Sequence, residues 1–167
     1  MSDIDPANAY DFHTWEIFYN TMDPLVGYVP GTSTLTPALA TSWKSNAKGD
    51  EFTFALRKNV KFSDGTPLTA DVVKWTIDRN AALGGDPSWL ITDFVKEVQV
   101  VDPSTVKFIL KSPVAFFPQI AVNPPYYPLN PNVWPKDKWV HDMSELPNKE
   151  LVGTGAYKIT SFKRDEE

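Results

Sequence analysis

Between residues 51 and 75 the chain reads EFTFALRKNVKFSDGTPLTADVVKW, and that stretch leaves few ways to fold. Phe52, Phe54 and Leu56 alternate with Thr53, Ala55 and Arg57, the period of a strand with one apolar face. Asp64-Gly65 follows, a dipeptide that favours a tight turn because glycine accepts positive φ without steric cost. Thr69 then stands where a helix N-cap belongs, and Asp71 falls in the first turn, where its charge suits the helix dipole. Val72, Val73, Trp75 and Ile77 supply an apolar stripe, and Gly84-Gly85 predicts the stop. Residues 51–84 therefore read as strand, turn and helix, with Phe62 and Trp75 expected to pack one against the other.

The flanks extend this unit. Trp43 is expected on a preceding strand, with SNAKGD as the hairpin loop. Residues 95–112 alternate on both sides of Asp102-Pro103-Ser104-Thr105 and predict a second hairpin. Residues 25–35 predict a short strand ending at Pro30-Gly31. Trp15, Phe18 and Met22 share a helical spacing over residues 14–22, capped by Thr14, His13 or Asp11. A helical turn is expected at 86–94, a brief helix interrupted by Pro118 at 114–122, and a last strand at 154–164. Residues 123–139, NPPYYPLNPNVWPKDKW, read as too irregular for a core element. The fold class is α/β, with a mixed sheet, hairpins and a few helices.

Composition removes whole classes of function. The chain has 167 residues, enough for one domain or one lobe. It has no cysteine, which excludes a disulfide framework, a thiol nucleophile and a cysteine-type zinc site. His13 and His141 are the only histidines, too few for a three-histidine metal centre. A net charge of -5 with scattered Lys and Arg argues against nucleic acid, which needs a basic face. No run approaches the roughly 18 apolar residues of a membrane helix, and Met1-Ser2-Asp3 does not open a signal peptide. Asp64, Asp71, Asp78, Glu97 and Asp102 each have a local explanation as turn, cap or solvated face, and no nucleophile elbow, zinc-protease helix or phosphate loop is present. A hydrolase, a cofactor and a bound metal are not expected.

Leu39, Ala40, Ser42 and Trp43, followed by Thr53, Phe54, Leu56, Arg57, Val60, Phe62, Asp64, Gly65, Pro67, Thr69, Ala70, Asp71 and Val72, resemble the signature of the peptide and nickel family of solute-binding proteins of ABC importers. VKEVQVVDPSTVKFILKSP resembles that family's next hairpin. VGTGAYKITSFKRDE resembles its closing strand, with Ala156 where proline is more usual, and DIDPANAYDFHTWEIFYNTMDPLVGY its opening loop and helix. The resemblance implies a type II periplasmic-binding-protein lobe. Residues 1–167 would be the N-terminal part of domain I of a two-lobe protein, with the second lobe absent.

It further implies a peptide, or a similar small solute such as a nickel chelate or oligosaccharide, as ligand. It implies an ABC permease as partner and a periplasmic or extracellular location, with a lipoprotein anchor in a longer form. The fragment is expected to be monomeric or to associate through surface exposed by truncation. By the same resemblance three segments face the cleft: Tyr10, Asp11, Phe12, His13 and Thr14; Trp89; and Asn123, Tyr126 and Tyr127. Each has a structural alternative: Asp11 as a helix cap, His13 as a loop residue, Trp89 as a core anchor. Tyr126 and Tyr127 point oppositely if extended, so one of them at most faces a ligand. On this division Asp64 and Gly65 hold the scaffold, and Tyr127→Ala leaves stability nearly unchanged. Two rival classes stand beside this one: an interaction module presenting a flat apolar patch, and a short paralogue with no transport role.

Overall fold

The computed structural model describes residues 3–159. Two hairpins make its main sheet: β3 (Ala40–Ser45) with β4 (Glu51–Leu56), and β5 (Val95–Asp102) with β6 (Thr105–Leu110). β4 lies against β6, so the order is β3-β4-β6-β5. A separate ribbon pairs β1 (Val26–Tyr28) with β2 (Leu35–Pro37), extending the single strand expected there into a hairpin. Every strand pairing among the described residues is antiparallel. This corrects the mixed sheet expected from the sequence: the hairpins close locally, and they meet each other through antiparallel neighbours.

The alternation of β4 does what its sequence dictates. Phe52, Phe54 and Leu56 are buried, as are Val106, Phe108 and Leu110 on β6. Phe52 pairs with Phe108 and Phe54 with Val106 across the two strands. Phe117, from the short helix α4 (Phe117–Ile120), sits over this face, its ring centroid 5.3 Å from both Phe52 and Phe108 and 5.9 Å from Tyr126. Pro118 occupies the first turn of α4 and does not interrupt it, because a missing N–H there breaks no helical hydrogen bond.

Between β4 and β5 the chain turns at Asp64-Gly65 into α2 (Ala70–Leu83). Gly65 has φ 91°, and Asp64 Oδ1 accepts from Thr66 N at 2.9 Å while Oδ2 accepts from Asn130 Nδ2 at 2.7 Å. Asp64 thus both makes the turn and ties it to a distant segment. Gly65→Val is expected to cost about 1–3 kcal/mol, because a β-branched residue is strained at positive φ, and a denaturant titration of the variant checks it. Thr69 occupies the N-cap position of α2, but its side chain makes no cap bond. The helix stops at Gly84, whose left-handed backbone lets its N–H reach the Asn80 carbonyl. Phe62 joins the core over the sheet and Trp75 packs against a second one, so the pair expected to lock strand to helix serves two cores.

That second core holds Ile4, Phe18, Met22, Tyr127, Leu129, Trp134, Val140 and Leu151. It joins the N-terminal loop and α1 (Phe12–Thr21) to the irregular segment that the sequence placed outside the core. Tyr126, Leu129 and Asn130 are 0% exposed, and Trp134 2%. Burying backbone without regular structure demands partners for its polar groups. Prolines lower the demand by removing N–H donors, local turns satisfy several of the N–H groups that remain, Trp134 N to Asn130 O among them, and α2 adds three buried polar side chains. Thr76 Oγ1 accepts from Leu129 N at 2.9 Å, Asn80 Nδ2 donates to Pro125 O at 2.8 Å, and Arg79 Nε donates to Pro135 O at 2.6 Å. Arg79 also forms a fully buried ion pair with Asp5, Nη2 to Oδ2 at 2.6 Å. The other Asp5 acceptor positions take Arg79 Nη1, Ala7 N and Val140 N.

A more exposed clasp lies alongside. Asp3 pairs with His141 and also accepts from Asn8 Nδ2. The Asp3 hydrogen bond and charge raise the His141 pKa; burial opposes them, and Glu145 and Asp5 add lesser contributions in the same direction as Asp3. Because the folded value lies above the unfolded one, this contribution is complete at acid pH and is lost as pH rises through the folded value. The wild-type chain is therefore expected to lose stability as pH rises above the ordinary histidine value of 6.5, and Asp3→Asn to flatten that slope; melting temperatures in mildly acid and mildly alkaline buffer decide it. Residues 154–159 form no strand, and 160–164 of the expected last strand lie outside the described residues. Gly155 N and Tyr157 N instead donate to Thr21 O and Asn20 O at the end of α1.

Candidate functional site

Three segments converge on one cleft of about 440 Å³, lined by Tyr10, Asp11, Phe12, Trp15, Trp89, Leu90 and Asn123. The first segment is the start of α1. Asp11 is its N-cap: Oδ1 accepts from Thr14 N at 3.0 Å and Oδ2 from Thr14 Oγ1 at 2.8 Å. The capping role, one of two weighed for Asp11, is the one its geometry displays. Capping fixes the helix start and leaves Phe12 at its first position, 89% exposed. Trp15, one turn on, donates Nε1 to Ala9 O at 2.8 Å and tilts against Tyr10 with ring centroids 5.4 Å apart.

The second segment is the turn through Asp86–Ser88 into α3 (Trp89–Thr92). It is held close to the first by Gly85, where a Cβ would stand 2.2 Å from Ala7 O and 2.7 Å from Asn8 Cα. Only glycine permits that approach, and it brings Trp89 beside Tyr10. The third segment is Asn123, which precedes the turn Pro124–Tyr126. Tyr126 anchors it from beneath, its hydroxyl donating to Leu90 O at 2.6 Å.

Five of the eight expected ligand residues thus meet at one cleft: Tyr10, Asp11, Phe12, Trp89 and Asn123. The other three do not. His13 is exposed and lines a separate depression with Glu16, Ile17, Asn20 and Tyr157. Tyr126 and Tyr127, expected to offer one side chain to a ligand, are both buried. The turn over 124–126 places both rings in cores, and burial raises both phenol pKa values steeply. Trp15 and Leu90 escaped the sequence reading. Trp15 follows Phe12 by three positions on a helix, and that spacing puts the two on one face.

The described residues hold no group of three or more His, Cys, Asp or Glu able to bind a metal, and none of their helices is long and apolar enough to cross a membrane. A concave, mostly aromatic wall built on helix starts and the loops beside them, with few polar groups, has the anatomy of a small-molecule binding site.

Comparison with known proteins gives the chain a lineage. The family described as bacterial extracellular solute-binding proteins, family 5 Middle, matches residues 34–167, and the chain belongs to that family. Its relatives include the "Probable D,D-dipeptide-binding periplasmic protein DdpA" of Escherichia coli (strain K12), 31% identical over 98% of this chain and 32% of its own length. Dipeptide-binding protein DppE of Bacillus subtilis (strain 168) is 25% identical over 98% of this chain and 32% of its own. Among solved structures, the murein tripeptide binding protein MppA of Escherichia coli superposes with a TM-score of 0.82 at 25% identity, covering 98% of this chain and 35% of that one. The chain spans about a third of the length of the curated relatives it matches. The expected type II binding-protein lobe is the observed fold.

Proposed function

We propose that this chain is the N-terminal part of domain I of an extracytoplasmic solute-binding protein, which binds peptides or a similar small solute and delivers them to an ABC permease. The observation that carries the proposal is the exposed aromatic wall: Tyr10, Phe12 and Trp89, 52%, 89% and 42% exposed, gather at one cleft. Large apolar side chains left in water at one place mark a surface that another molecule covers. The names of the relatives, dipeptide-binding and murein tripeptide binding, favour a peptide as that molecule. The protein works outside the cytoplasm, as does DdpA by its name, and performs no chemistry on its solute.

Closure around a ligand needs contacts from two sides. This chain supplies one wall, so it is expected to bind di- and tripeptides more weakly than about 1 μM on its own, measured by calorimetry. The decisive test is to purify the protein encoded by the gene that contains this chain, under native conditions from a peptide-rich extract, and identify its solute by mass spectrometry. A co-purified peptide supports the proposal. A protein that carries no solute and takes up no added di- or tripeptide overturns it.

A further inference from the structure

We propose that this wall of the cleft is a pocket for one uncharged, aromatic or large aliphatic ligand side chain, and that it discriminates against charged ones. The inference rests on the peptide-binding reading above and adds its selectivity.

Among the described residues, Asp11 is the one carboxylate lining the cleft, and no Lys, Arg or His lines it. Both Asp11 oxygens already accept hydrogen bonds from Thr14. The carboxylate therefore holds the helix start whether or not a ligand is present. An anionic side chain entering the cleft would give up water and meet only another carboxylate, and a cationic one would find only Asp11, already engaged by Thr14; either costs more than burying an apolar one. The polar groups nearby are largely spent as well. Trp15 Nε1 is held by Ala9 O, and Asn123 Nδ2 by Ile120 O at 2.8 Å. The Asn123 amide oxygen accepts no hydrogen bond from the described residues and sits at the edge of the cleft, where it suits a main-chain N–H of the ligand.

The rings themselves favour an apolar guest. Trp15 and Tyr10 are already packed together at 60°, and Gly85 and Tyr126 fix the Trp89 turn against them. The wall is preassembled, so little conformational freedom is lost on binding. Aromatic rings also attract cations, which makes a lysine side chain the strongest rival. Asp86 and Asp93, on the same turn as Trp89, are exposed to solvent and stand outside the cleft lining. They lend a bound lysine only a screened field.

The test is a titration of the chain with Ala-Phe-Ala, Ala-Lys-Ala and Ala-Glu-Ala, following the indole N–H resonances of Trp15 and Trp89 by NMR. The phenylalanine peptide is expected to bind at least about tenfold more tightly than the other two. Trp89→Ala and Phe12→Ala are each expected to remove most of that preference. Phe12 is so exposed that its variant keeps the fold, which a circular dichroism spectrum verifies. Equal affinity for all three peptides, or preference for lysine or glutamate, overturns the inference while peptide binding stands. No response to any of the three overturns the inference, while the proposed function is decided separately by the solute that the protein encoded by the whole gene carries.

Discussion

Arg79→Met is expected to lower the unfolding free energy by about 3–5 kcal/mol, the cost of breaking a buried ion pair from one side. The guanidinium is 0% exposed, as is its partner Asp5. Removing it strands a carboxylate in the interior and strips three main-chain and side-chain acceptors of their donor: Pro135 O, Lys138 O and Asn80 Oδ1. The Trp134 ring, 5.7 Å from the guanidinium carbon, loses its cation as well. A drop of several degrees in melting temperature follows, at roughly 2–4 °C per kcal/mol for a chain of this size. The double variant Asp5→Asn with Arg79→Met is expected to be less damaged than the sum of the singles, since it leaves no unpaired charge. A loss under about 1 kcal/mol for Arg79→Met would show that water reaches the pair.

Tyr127→Ala is the second large effect, about 3–5 kcal/mol on the scale of buried aromatic truncations. From sequence this substitution was expected to be nearly neutral, on the view that Tyr127 stood in a ligand cleft. The side chain is instead 2% exposed, sits in the second core and tilts against Tyr19 at 6.3 Å between ring centroids. Chemical denaturation separates the two views directly. A change in melting temperature of a degree or less would return Tyr127 to the surface.

These two positions also show where sequence reasoning stopped. The β4-turn-α2 unit was legible because its determinants are local: alternation, an Asp-Gly turn and a glycine stop. The β5-β6 hairpin was legible for the same reason. The cleft was partly legible, since Tyr10, Phe12, Trp89 and Asn123 are exposed or half-buried in connecting segments or at the first position of a helix, where loops deliver ligand contacts. The burial of 124–130 and Trp134 was not, because it depends on side chains elsewhere. Thr76, Arg79 and Asn80 lie at helical spacing on α2 and look like an ordinary solvated face. Only the fold reveals that this face is turned inward to satisfy the prolines' neighbours. Thr69 is a smaller instance: sequence located the cap position, while the absence of its side-chain bond is a matter of rotamer.

The division into two cores has a consequence for how the chain comes to be folded. The core over the sheet is built on two hairpins, β3-β4 and β5-β6, that each close locally and are expected to form early. The second core joins the first residues to the last ones described; Asp5 and Val140, which share a hydrogen bond, are 135 positions apart. During synthesis the N-terminal loop and α1 must wait, with Phe18 and Met22 uncovered, until nearly the whole segment has emerged. A growing polypeptide of this kind has its period of greatest need for chaperone protection at the start of its life, and its aromatic cleft, which α1 helps to build, is the last part of it to take shape.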